Sequence, residues 1–227
     1  MVIFMKHFKV TDLFIGIVFT LLFISIAVVI TVNFRPLYYM DVKLLGIEGD
    51  SGLSKNEILK NYNTLIDYSS PFYKGNLKFP TLAASESGLS HFAEVKNIFT
   101  DFYIIGAITL LLGIAVIVYK SRKREISYLM VSAITAIVLP LLLGLLMSIN
   151  FDKTFVLFHK LFFNNNDWLF DPATDPVITI LPDTFFMHCA ILIISIVILF
   201  SIIFLIIYMI KKKHNHIKYR TNKGLKL

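Results

Sequence analysis

The chain has 227 residues, 56% of them hydrophobic, with a mean hydropathy of +0.73, which excludes an ordinary soluble globular domain. Twenty-two Lys and Arg against 15 Asp and Glu give a formal net charge of +7. These cations lie beside apolar stretches, with no basic groove of stacking aromatics, so they read as a topology signal and an attraction to anionic membrane lipid; nucleic acid is excluded as a partner.

Residues 1–11 read as a cytoplasmic N-terminus and 12–34 as a first transmembrane helix. Its apolar run is too long for a signal-peptide core and ends Thr31-Val32-Asn33-Phe34-Arg35, without a small-residue cleavage site, so it is an uncleaved anchor. Residues 35–100 read as a small mixed α/β extracellular domain. Leu37–Ile47 is rich in strand formers, and Gly46, Gly49, Asp50 and Gly52 mark turns. Ser54 and Glu57 form a capping box that opens a helix with Ile58, Tyr62, Leu65 and Ile66 on one face, and Pro71 ends it. Phe72–Leu82 fits a hairpin around Lys74-Gly75-Asn76, and Ser90 fits the N-cap of a helix entering the second span, 101–119.

Loop 120–125 holds Lys120, Arg122, Lys123 and Arg124 and leads to a third span, 126–149, in which Pro140 and Gly144 allow a kink. Residues 150–184 form an extracellular loop. In it Phe151, Phe155, Phe158 and Phe162 share one face of an amphipathic helix suited to the membrane interface. A fourth span, 185–210, precedes a basic tail, 211–227, with Lys211, Lys212, Lys213, Lys218, Arg220, Lys223 and Lys226. The apolar stretches Leu13–Val32, Phe102–Tyr119, Ile126–Ile149 and Phe185–Ile210 contain no Asp, Glu, Lys or Arg, and each is near the roughly 20 residues that crossing needs. The third-to-fourth connection carries only Lys153 and Lys160 against five Asp. The cation bias therefore puts both termini and loop 120–125 in the cytoplasm, with 35–100 and 150–184 outside. The expected fold is an α-helical polytopic membrane protein: four transmembrane helices, a small mixed α/β domain between the first two, and an amphipathic extracellular helix between the last two. Cys189 is the sole cysteine, so no intrachain disulfide forms, and the external domain must rest on the membrane helices.

Chemistry concentrates on two external histidines. His91 and Glu94 stand three apart on a helix and can face each other, an arrangement in which the carboxylate fixes the imidazole tautomer and raises its pKa. A local cap or surface role is the bland alternative. His159 lies at the edge of the phenylalanine face, where desolvation favours neutral imidazole; a histidine bonded to backbone is its alternative reading. His7, His214 and His216 read as solvated beside lysines, and no metal-ligand spacing or cofactor motif is present. His188 and Cys189 are helix neighbours that do not face each other. Ser85, Ser87 and Ser90 lack the G-x-S-x-G setting of an activated serine.

The Ser-rich stretch ending in Ser90-His91, with Glu94-Val95-Lys96 after it, and the loop Phe158-His159…Phe162…Asn166…Trp168-Leu169-Phe170 closing on Leu181-Pro182 together resemble the lipoprotein intramolecular transacylase family of Gram-positive bacteria. The resemblance covers most of the chain, and the loop is its specific part. Where the family pattern carries an aspartate, this chain has Glu94, one methylene longer. The resemblance implies a diacylglyceryl-modified lipoprotein as substrate, membrane lipid as partner, and transfer of the sn-2 acyl chain to the α-amino group of the N-terminal cysteine, giving the lyso-form. It implies no cofactor, and it places the family's two essential histidines on His91 and His159. His159 is then the expected base, His91 its partner and Glu94 the orienting acid. Asn164, Asn166 or Arg35 would stabilise the oxyanion, while Trp168, Phe158 and Phe162 would line the acyl-chain site. Residue chemistry fits: an α-amine with a pKa near 8 needs only a nearby imidazole, and joining amine and ester in one molecule supplies orientation. A hydrolase or acyltransferase with a serine acyl-enzyme, a haem or quinone protein with histidines in its spans, and a non-catalytic membrane adaptor remain as alternatives.

Overall fold

The structure, a computed structural model, describes residues 9–224. His7 and Lys226 lie outside the described residues, as do the side chains of Leu139, His216, Lys218, Arg220 and Lys223. The described chain is helical: α1 (Val10–Asn33), α2 (Arg35–Leu44), α3 (Ile47–Ser51), α4 (Lys55–Tyr68), α5 (Glu86–Arg122), α6 (Ser127–Ile149), α7 (Phe151–Phe162) and α8 (Asp183–Gly224), with a 3-10 helix at Pro176–Ile180. Helices α1, α5, α6 and the Asp183–Asn215 part of α8 are long and apolar enough to cross a membrane. α8 runs past residue 210, so the start of the basic tail continues the last span as helix.

The mixed α/β expectation for 35–100 is overturned, since no strand occurs among the described residues. Leu37–Ile47 instead forms α2 and the start of α3. Pro36 in the first turn has its φ preset for a helix, and its missing N–H would be unpaired there anyway. Tyr38, Asp41 and Val42 then recur at helical spacing on the buried side, while Met40 and Leu44 face out. Strand propensity expresses fit to a pleated surface, and this segment has none to join. The expected hairpin at Phe72–Leu82 is an irregular segment. Its turn is real, with Gly75 at φ +111°, and it delivers Leu77 and Phe79 to the core. Asn61 holds the segment's end, donating to Thr81 Oγ1 at 2.6 Å and accepting from Thr81 N at 3.3 Å.

The chain divides into two compact units. The first comprises Met1–Ser25, Ile105–Leu143 and Ile194–Leu227, and the second comprises Ile26–Ile104 and Gly144–Ile193. In the first, Phe19 and Phe23 interlock with Phe200 and Phe204 at centroid distances of 4.9–5.2 Å. Fully buried Asp12 accepts from Lys120 at 2.9 Å and Ser127 at 2.6 Å, and Lys120 also reaches Glu125 at 2.7 Å. Each oxygen of the buried carboxylate thus has a donor, which offsets the cost of its burial.

In the second unit the Tyr38 ring lies on Tyr62, 3.6 Å between centroids and 10° from parallel, with Phe185 edge-on at 5.0 Å. Tyr38 donates its hydroxyl to the Ile180 carbonyl at 2.7 Å, so the 3-10 helix is pinned to α2. The Ser54–Glu57 capping box is present as expected and starts α4, whose Ile58, Tyr62 and Leu65 enter the same core. Arg35 bonds Asn63 and Asp67, tying α2 to α4. Asp41, 2% exposed, takes His188 Nδ1 at 2.9 and 3.0 Å from its two oxygens.

Candidate active site

α5 begins five residues before the expected Ser90, with Ser85 as its capping residue. Ser85 Oγ accepts from Gly88 N at 3.0 Å, and Ser85 N donates to the buried Asp175 at 2.8 Å. Ser90 is exposed. The earlier start moves His91 to the second turn and carries it below the surface, to 5% exposure. A Cβ on Gly88 would strike the Asp175 carboxylate and come within 3.1 Å of Phe170, so only glycine lets the 163–182 loop approach the helix this closely. Burial opposes ionisation of Asp175, but the hydrogen bonds from Ser85 and Thr174 outweigh it and hold the carboxyl below its usual range.

α7 is capped by Asn150, which accepts from Lys153 N at 2.8 Å. Its amphipathic face is turned in an informative way. His159 is its buried residue, while Leu157, Phe158, Leu161 and Phe162 point out, with Leu161 73% exposed. The apolar face is thus offered outward and the histidine inward.

That rotation brings His159 and His91 together, with ring centroids 5.8 Å apart. His91 also packs on Phe163 at 4.7 Å and Phe170 at 5.5 Å. His159 lies between Phe155 at 4.2 Å and Trp168 at 4.8 Å, stacked on the indole. His159 Nδ1 sits 2.9 Å from the Phe155 carbonyl. A carbonyl only accepts, so Nδ1 carries the hydrogen, and in the neutral ring Nε2 holds the lone pair. Burial pulls the His159 pKa down, partly offset by this hydrogen bond and by Asp183. His91 is pulled further, to about 4, by burial first and then by His159, against a smaller opposing effect of Asp167. Both rings are therefore neutral near pH 7.

The expected His91–Glu94 pair does not form, and the expected upward pKa shift of His91 is reversed. Glu94 Oε1 accepts from Asn165 Nδ2 at 2.8 Å; its Oε2, like His91 Nδ1, is buried without a partner. Orphaned buried polar atoms are costly, and these two belong to residues three apart on α5. Asn165 was missed by sequence reasoning, which singled out its neighbours. Asn164 and Asn166 are exposed, and Asn166 serves the loop by accepting from Leu169 N through its carbonyl. Asn165 instead bonds Glu94, accepts from Asp167 N at 3.0 Å, and through its carbonyl accepts from Trp168 Nε1 at 3.2 Å. Its signal was only the crowding of the Asn164–Trp168 run, which marks a turn without saying which amide turns inward. Trp168 lies against His159, whereas Phe158 and Phe162 lie on the outer face of α7. Arg35 spends its guanidinium on α4 and not on the histidines.

Among the described residues no serine is bonded to the pair: Ser85 Oγ lies 2.9 Å from Ser87 Oγ, and His91 Nδ1 has no hydrogen-bond partner. Among the described residues no group of three His, Cys, Asp or Glu is arranged to hold a metal.

A family model described as lipoprotein intramolecular transacylase Lit matches residues 13–186. The membrane-integral lipoprotein intramolecular transacylase Lit from Bacillus cereus is similar over 91% of this chain and 98% of its own, at 36% identity and a TM-score of 0.87. Two variants of that protein, with a histidine replaced by arginine or by alanine, match at 36% and 35% identity with TM-scores of 0.81 and 0.83; they cover 92% and 91% of this chain and 95% and 94% of their own. No curated protein matches. A family match over most of the chain, four spans and a relative of the same size and fold agree, and the chain belongs to the lipoprotein intramolecular transacylase family, as a multi-pass membrane enzyme.

Proposed function

We propose that the His91–His159 pair moves the sn-2 acyl chain of a diacylglyceryl-modified lipoprotein to the α-amino group of its N-terminal cysteine, at the outer membrane face with both termini cytoplasmic. The observation that carries this reading is the tautomer of His159. Its Nδ1–H is committed to the Phe155 carbonyl, which leaves the lone pair on Nε2, and its ring stands 5.8 Å, centroid to centroid, from that of His91.

The free amine attacks the ester carbonyl and forms a C–N bond. The adduct's nitrogen is positively charged, so its N–H is far more acidic than that of a free ammonium, and an imidazole with a depressed pKa is basic enough to take the proton at Nε2. Collapse breaks the bond from the carbonyl carbon to the glyceryl oxygen, and the imidazolium returns the proton to that oxygen. Nothing is gained or lost, and the reaction is an isomerisation. Amine and ester belong to one molecule, so positioning replaces an enzyme nucleophile. Glu94 holds the substrate amine through Oε2, a role supported by that oxygen having no partner while Asn165 occupies Oε1. Phe163, Phe170 and Trp168 wall the histidines, and the outward face of α7 meets lipid, from which the acyl chains enter.

The test is a diacylated lipopeptide in detergent, followed by tandem mass spectrometry and by loss of amine labelling. An amide-linked acyl group on the cysteine, with a monoacyl glyceryl thioether, is expected from the native chain and not from His159→Ala or His91→Ala. Release of free fatty acid would instead establish a hydrolase, and full activity of both variants would leave the histidines without a catalytic role.

A further inference from the structure

We infer that the basic end of the first unit holds the phosphate of an anionic glycerophospholipid headgroup. A cavity of about 340 Å³ opens there between the segment 121–126 and the 210–215 stretch of α8. Its size falls in the range of small-ligand pockets. Arg124, Lys211 and His214 line it, with Asn215 as a neutral donor and acceptor and with Ile126 and Ile210 as apolar wall.

Three observations single it out. First, the one carboxylate in the lining is already spoken for: Glu125 accepts from Lys9 at 2.6 Å and from Lys120 at 2.7 Å, and these bonds hold its pKa down to about 2. Arg124 and Lys211 have no carboxylate partner among the described residues, so their charge is available to a ligand. Second, Arg124 is the only non-glycine residue with positive φ among the described residues, at +54°. A side chain with a Cβ avoids that conformation, and glycine would adopt it freely. That conformation closes α5, with Glu125 N bonded to the Lys120 carbonyl at 3.0 Å and Arg124 N to the Ser121 carbonyl at 3.1 Å, and the turn sets Arg124 in the lining of the cavity. Third, the mixture of fixed cations, one amide and two isoleucines suits a phosphodiester joined to a glyceryl backbone. A free phosphate would use the cations and leave the apolar wall unused.

The test uses the full-length chain, delipidated in detergent, with equimolar phosphatidylglycerol and phosphatidylcholine of the same acyl composition, read by native mass spectrometry. The native chain is expected to retain phosphatidylglycerol preferentially. Arg124→Gly and Lys211→Gln are each expected to cut that preference about fivefold, as removal of one cation near a lipid phosphate implies. Arg124→Gly relieves the left-handed backbone, so an unchanged or higher melting temperature separates lost binding from lost folding. A control, Lys223→Gln, removes the same single charge from the tail. An equal loss in this control would reduce the effect to general attraction and overturn the proposal, as would equal retention of the two lipids or no response to the two site variants. Displacement of phosphatidylglycerol by stoichiometric inorganic phosphate would assign the cavity to the free anion and overturn the lipid.

Discussion

The depressed pKa values of the histidine pair make a sharp prediction about acid. Consider lipopeptide turnover, under kcat/KM conditions, as pH falls from 8 to 5. The substrate amine, with a pKa near 8, loses about tenfold in its reactive neutral form per unit below 7. His91, pulled to about 4 by burial, is still about 90% neutral at pH 5. A histidine with the ordinary value of about 6.5 would be only about 3% neutral there, a further loss of about thirtyfold. His91 therefore adds nothing, down to pH 5, to the slope of one that the amine sets in the logarithm of the rate. His159, also shifted downward, adds its limb below the ordinary histidine range. A slope steepening to two near pH 6.5 would refute the claim that burial keeps the pair neutral. Stability follows the same sign. The folded His91 binds its proton later than the unfolded one, so the fold keeps this contribution above about pH 6.5 and loses it as pH falls toward 4. The full loss is about 3 kcal/mol, from 1.36 kcal/mol per pKa unit. Thermal melts in detergent at pH 7.5 and 4.5 should show it, and His91→Gln should flatten the difference.

Asn165→Ala removes the hydrogen bond to Glu94 and loosens the turn that holds Trp168 on His159; turnover should fall by about 1.5–3 kcal/mol in activation free energy, and Asn165→Asp should be worse through carboxylate repulsion. The chain's single tryptophan reports the same event, and unchanged Trp168 emission in an inactive Asn165→Ala would show that the residue acts otherwise. Gly88→Ala drives a methyl group against Asp175 and Phe170 and should cost about 1–3 kcal/mol of stability; a melting temperature equal to that of the native chain would mean the loop yields at no cost. Asp41→Ala strips His188 of its buried acceptor and should lower stability by about 1–3 kcal/mol, while the turnover of the folded fraction is retained; a selective loss of turnover would place that pair in the chemistry.

The spans were legible because their signal is a sum over about 20 residues, and no local detail can reverse it. The Ser54–Glu57 box was legible because both partners lie within one turn. Leu37–Ile47 misled because β-branched and aromatic residues mark half-buried positions in either period, and Tyr38, Asp41 and Val42 match the helical one once Tyr62 supplies the surface they pack on. The site divided in the same manner. His91 and His159 stood out by type and surroundings. Their partners lie far away in sequence: Glu94 meets Asn165 across 71 residues, Asp41 meets His188 across 147, and Asp175 reaches Ser85 across 90. The i, i+3 rule permitted a His91–Glu94 pair, but the carboxylate had a better donor in an amide from another loop.

That substitution of partners bears on how the proposed site would transfer an acyl chain without hydrolysing it. A carboxylate bonded to His91 would raise its pKa and stabilise imidazolium, favouring a charged, hydrated pair able to activate water. Here aromatic rings from Phe155, Phe163, Trp168 and Phe170 cover both imidazoles, and the Glu94 carboxylate is bonded to an amide. A neutral base walled by rings leaves little room for competing water, while the substrate brings its own nucleophile tethered to the ester. On this reading the aromatic wall sets the choice between transfer and hydrolysis. Phe163, 4.7 Å from His91 and 5.6 Å from His159, is the ring that touches both. Phe163→Ala should open the wall, raise the His91 pKa toward its ordinary value as desolvation is relieved, and divert part of the acyl flux to free fatty acid. The ratio of fatty acid to amide product, measured by mass spectrometry against the native chain, reads that diversion directly. A variant that loses rate with no rise in the ratio would show that Phe163 orients the histidines and that water is excluded by other means.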